Sequence, residues 1–99
     1  MLWHLARFDM SSLDDETRED LEDQMLGLAE IEDVAFLRVA HDVNEPNVTV
    51  FLSVFEDLAG FRRYEAHPIH IPVLTRCQQL NLPVVHLDFP TDDDVADLP

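Results

Sequence analysis

A chain of 99 residues that is 46% hydrophobic and holds only two glycines has about one domain's length and the composition of a folded protein, not a disordered or collagen-like one. Its formal charge is −15, with all six basic residues arginine and no lysine, so phosphate backbones and anionic bilayers repel it and nucleic-acid and membrane-surface partners are not expected. No apolar run approaches the roughly 20 residues that span a bilayer. The chain starts Leu2-Trp3-His4 without a basic flank or apolar signal region, and one cysteine, Cys77, can form no internal disulfide. Both features point to a reducing, cytoplasmic setting. The acidity reads first as solubility, with salt adaptation as the alternative.

Residues 2–9 alternate as a strand. Ser11 and Ser12 are natural helix caps, and Asp14, Asp15 and Glu16 suit the positive end of a helix over about 13–30. Leu21, Met25 and Leu28 give that otherwise acidic helix one apolar stripe. Val34 to Ala40 is a strand, Asn44-Glu45-Pro46-Asn47 a turn, and Val48 to Phe55 the second strand of a hairpin. The sequon Asn47-Val48-Thr49 is therefore read as the entry to a strand. Asp57 caps a second helix through Leu58, Phe61 and Tyr64. Pro68 forces the residue before it out of the helical region and Pro72 removes another donor, so a break is expected over His67–Pro72. A short helix then runs to about Gln79, and Val84 to Phe89 is the last strand. Four aspartates fall between Thr91 and Pro99, a segment expected to be an acidic, disordered tail to a single domain over 1–90.

The order βαββαβ describes a ferredoxin-like α+β sandwich. Helices cover only one face of such a sheet, yet both faces are apolar, with Val48, Val50, Leu52 and Val54 on one side and Phe51 and Phe55 on the other. Two sheets facing each other across a homodimer would cover the second face, closing an α/β barrel with a shared cavity.

The most unusual stretch is Tyr64-Glu65-Ala66-His67-Pro68-Ile69-His70. Together with His4 in the first strand, Phe55-Glu56-Asp57 at a strand end and Asp88-Phe89 in the closing strand, it resembles the stress-responsive dimeric α/β-barrel (Dabb) family over roughly residues 2–90. Trp3, where the family commonly has a basic residue, and Pro72 depart from the pattern and bear on the cavity mouth. The resemblance implies a dimeric barrel with a hydrophobic cleft and, for most members, no established activity. One plant branch cyclises linear polyketides without a cofactor, using the tyrosine and the final histidine of this motif. By position these are Tyr64 and His70, with His4 and His67 as cavity-lining candidates. A cofactor-free monooxygenase has support from the fold alone.

That chemistry needs a base for a proton beside a carbonyl and a donor for the developing oxyanion. Histidine suits the first near neutral pH and a tyrosine hydroxyl suits the second. On a continuous helix, residues 64 and 70 stand about 240° apart, so only a break at Pro68 brings them to one cleft. Architectural readings stand beside these. Tyr64 is then a core residue with its hydroxyl on a carbonyl, His67 a backbone cap, His70 a lock on the turn and His4 a satisfied core histidine. His41 and His86 read as ordinary strand residues. No Cys or carboxylate completes a metal set with His4, His67 and His70, so no metal and no cofactor is expected. A small hydrophobic ligand remains the candidate partner besides a second copy.

Overall fold

The computed structural model describes residues 1–98. Four strands form one antiparallel sheet: β1 (Leu2–Asp9), β2 (Val34–His41), β3 (Val48–Phe55) and β4 (Val84–Pro90), in the spatial order β2-β3-β1-β4. Three helices, α1 (Asp15–Gly27), α2 (Leu58–Glu65) and α3 (His70–Gln79), fill the two crossovers. This is the ferredoxin-like α+β arrangement expected from the βαββαβ order.

Local chemistry sets the helix ends. Asp14, not Ser11 or Ser12, caps α1, its Oδ1 accepting from Thr17 N at 2.7 Å. The serines are taken up in the preceding turn, where Asp9 Oδ1 accepts from Ser11 N. The helix expected over 13–30 is thus α1 followed by a single 3-10 turn, Leu28–Glu30. Asp57 caps α2 as expected, its Oδ1 accepting from Gly60 N at 2.8 Å. The break is shorter than expected: α3 starts at His70, and Pro72 sits in its first turn, where backbone donors need no helical partner. Asn81, at φ 52°, takes the left-handed position that ends α3. Leu82 N then donates to Cys77 O and Asn81 N to Gln78 O, closing the helix before β4.

The core lies between the helices and one face of the sheet. Leu2, Ala6, Phe51 and Phe55 from the strands meet Leu21 and Met25 of α1, Phe61 and Tyr64 of α2, and Val73 and Cys77 of α3. His41 ties α1 down, its Nε2 lying 2.7 Å from Glu22 Oε2. Across the sheet no helix covers Trp3, Leu5, Leu52, Val85, Leu87 or Phe89, and Val85 and Leu87 are 62% and 59% exposed. Past β4 the chain is pinned to the N-terminus, with Met1 N and Trp3 Nε1 donating to Thr91 O and Oγ1. One 3-10 turn, Val95–Asp97, follows under an Asp94 cap. The last residue of the expected tail, Pro99, lies outside the described residues. Among the described residues no helix is long and apolar enough to cross a membrane.

Candidate functional site

A cleft of about 400 Å³ opens within the single chain, between the helix-facing side of the sheet and the α2–α3 pair. It is thus not the space between two facing sheets. Phe51, Phe61, Met25, Leu28 and Val73 make its walls apolar, and Tyr64, His70, His4 and His86 bring polar atoms to it.

The break after α2 builds the centre of this cleft. Glu65 ends α2, His67 N donates to Tyr64 O, and His67 O receives both His70 N and Ile71 N as α3 begins. The chain thereby turns between Tyr64 and His70, whose ring centroids come to 4.4 Å. The Glu65 carbonyl accepts a 2.9 Å hydrogen bond from His70 Nδ1. A carbonyl only accepts, so Nδ1 carries the hydrogen and Nε2 of the neutral ring keeps a free lone pair. Burial pushes the His70 pKa below the ordinary 6.5, outweighing the support of that carbonyl. The ring is therefore neutral at neutral pH.

Tyr64 is 2% exposed, and its ring packs on Phe55 at 4.8 Å between centroids. Its hydroxyl has no hydrogen-bond partner among the described residues, so it is not the carbonyl-tethered core tyrosine of the architectural reading. Burial, with the nearby Glu65 charge second, raises its pKa far above the usual phenol value. It stays protonated and is a donor.

His4 rises from β1 into the same space, its ring 5.2 Å from Phe61 and 6.4 Å from Tyr64. Its Nδ1 is paired with the Asp88 carboxylate. His67, expected at the cavity, stands apart from it. Its Nδ1 accepts from Ile69 N at 3.1 Å, so it braces the break as a backbone cap. His86, read as an ordinary strand residue, lines the cleft with its ring 6.2 Å from that of His4. Cys77 also lines it, but burial raises its thiol pKa and leaves it un-ionised. Among the described residues no three His, Cys, Asp or Glu side chains are grouped to hold a metal ion. The cleft as built offers one phenolic donor, the Nε2 atoms of His4 and His70 and the ring of His86 without protein partners among the described residues, and apolar walls. That set suits proton transfer on a ligand with a polarisable oxygen.

The family model for the stress responsive A/B barrel domain matches residues 2–91. No curated protein matches the chain. Among solved structures, a dimeric ferredoxin-like protein of unknown function from Thermobifida fusca is similar at 19% identity, over 91% of this chain and 90% of that one, with TM-score 0.79. The Arabidopsis thaliana protein At3g17210 is similar at 25% identity, over 95% and 99%, with TM-score 0.77. SnoaB, a cofactor-independent oxygenase from Streptomyces nogalater, is similar at 19% identity, over 94% of each chain, with TM-score 0.77. The likeness to the first and third is one of fold.

Proposed function

This chain belongs to the stress-responsive A/B barrel domain family, and on that footing we propose that it is a homodimeric, cofactor-free proton-transfer enzyme acting on a small hydrophobic carbonyl compound. One observation carries the reading: the break between α2 and α3 sets the unpartnered Tyr64 hydroxyl beside a neutral His70 in an open apolar cleft. The apolar walls hold the body of the ligand, and its carbonyl oxygen lies against Tyr64. His70 Nε2 takes a proton from the carbon beside the carbonyl. The electron pair moves onto the oxygen, where the Tyr64 O–H stabilises the oxyanion, and the enolate is then free to attack a second carbonyl or be reprotonated. A desolvated, uncharged histidine suits this step, since it starts deprotonated and works in a low-dielectric site. A cavity filled by side chains is the rival reading, and the open volume counts against it.

The uncovered sheet face supports the homodimer. The Thermobifida fusca protein of the same fold is described as dimeric, and a second copy would bury Leu5, Leu52 and Leu87 at once. A reducing, cytoplasmic setting suits the free thiol of Cys77.

The test uses benzylacetone in heavy water and follows loss of the protons beside its carbonyl by NMR. Wild-type protein is expected to catalyse exchange, and Tyr64→Phe and His70→Ala to remove it. No exchange with this ketone or with acetophenone, or undiminished exchange in both variants, would overturn the assignment.

A further inference from the structure

We propose that Asp88 is a positioning residue that fixes His4 as a second proton acceptor of the cleft, an inference that rests on the proton-transfer reading above. His4 on β1 and Asp88 on β4 are direct register partners, so both side chains leave the sheet on its helix-facing side. The carboxylate pairs with His4 Nδ1. A carboxylate accepts from the ring, so Nδ1 carries the hydrogen, and in the neutral ring Nε2 is then the lone-pair nitrogen. The His4 ring lines the cleft, and Nε2 has no protein partner among the described residues. One ring nitrogen is anchored and the other is presented to the cavity.

The two anchored histidines are built differently. His70 is held from the helix side by a backbone carbonyl, and His4 from the sheet side by a carboxylate. A carbonyl fixes the tautomer only. A carboxylate also balances the charge that appears when the opposite nitrogen accepts a proton. The titratable groups around His4 are Asp88 and His86 from β4, Tyr64 from α2 and His70 from α3. When the C–H or enol O–H bond of the ligand breaks, the proton moves to His4 Nε2; the C–H pair shifts through the enolate onto the oxygen facing Tyr64, and the O–H pair stays on that oxygen. The reverse transfer, from Nε2–H to ligand or water, restores the neutral ring. Asp88 touches no ligand and acts through His4.

The experiment reads the His4 tautomer in isotope-labelled protein by long-range proton–nitrogen NMR at mildly alkaline pH, beside the rate of benzylacetone exchange. Wild type is expected to show the Nδ1–H form. Asp88→Asn is expected to move His4 towards the Nε2–H form and to lower kcat by about tenfold to a hundredfold, with KM within about twofold. Asp88→Glu should recover part of both. An Nε2–H form in wild type would overturn the proposal. So would an unchanged tautomer in Asp88→Asn, or an unchanged rate in Asp88→Asn while His70→Ala still loses exchange. If wild type exchanges no ketone proton, the function proposed above falls by itself, and the tautomer alone decides on Asp88.

Discussion

Along β1 the residues turned towards the helices are Leu2, His4, Ala6 and Phe8, while those turned away are Trp3, Leu5, Arg7 and Asp9. On β3 the same alternation sends Phe51, Ser53 and Phe55 inward and Val50, Leu52 and Val54 outward. On the covered side the helices and β4 bring partners to several polar groups, Glu65 O to His70, Asp88 to His4 and Glu22 to His41, while the buried Ser53 hydroxyl has none. The outward face is largely apolar on the two inner strands, β1 and β3, and on the edge strand β4; Val54 is buried there, while Val85 and Leu87 stand open. On the function proposed above, one face serves a ligand and the other a second copy. The difference follows from what each face is packed against, since a strand's two sides share one backbone and differ only in side chains.

The most direct way to break this contrast is to charge the outward face. Leu87 is 59% exposed in the single chain, so a substitution there leaves the internal core alone. Leu87→Asp puts a carboxylate from each copy into an apolar interface. Its expected effect is a rise in the dimer dissociation constant of at least about a thousandfold, or roughly 4 kcal/mol, seen as one chain's mass by light scattering at micromolar concentration. A variant that remains dimeric would place the interface elsewhere.

The inward face is tested by Tyr64→Phe and His70→Ala. Each removes an atom that the proposed reaction places on the ligand, and each should cost about a hundredfold or more in exchange rate. Tyr64→Phe should barely lower the melting temperature, because the hydroxyl has no protein partner to lose. A large stability loss there would mean that the hydroxyl serves the core.

Much of this contrast is legible along the chain, and what is hidden is non-local. The strand limits and the α2 cap follow from alternation and from Asp57, both local signals. The start of α1 is missed because Ser11, Ser12 and Asp14 are all competent caps, and only the Asp9–Ser11 turn settles which is used. Pro68 marks the break, yet Pro72 is misleading, since a proline within the first helical turn costs no hydrogen bond. Tyr64 and His70 are close in sequence and joined by one turn, so their meeting can be reasoned from the helical angle. His4 and Asp88 are 84 residues apart and become neighbours only when β4 lands beside β1. His86 enters the cleft through the same pairing.

The acid response sharpens the inward face further. Burial holds the folded-state pKa of His70 below its ordinary 6.5. Between the two values the unfolded chain binds more protons than the folded one, so stability rises with pH through that interval and falls as pH drops below 6.5. Above 6.5 the ring is neutral in both states and this contribution is nil. Wild type should therefore lose melting temperature on acidification more steeply than His70→Gln. The exchange rate should hold to lower pH than free imidazole chemistry, because the working form of His70 is the neutral one. Parallel curves for wild type and His70→Gln would contradict this.

The smallest expected effect separates the two histidines of one motif. His67 and His70 lie three residues apart and both touch the break, but with opposite functions for their rings. His67 Nδ1 accepts from Ile69 N at 3.1 Å, outside the cleft, whereas His70 donates to Glu65 O and keeps its second nitrogen inside it. His67→Ala should thus cost about 1 kcal/mol of stability, the worth of one partly solvated hydrogen bond, and leave the exchange rate within about twofold. The turn survives because His67 O still receives His70 N and Ile71 N whatever side chain stands there. A rate loss comparable with that of His70→Ala would show that the cap is needed to hold Tyr64 and His70 together, and the break itself would then belong to the catalytic machinery.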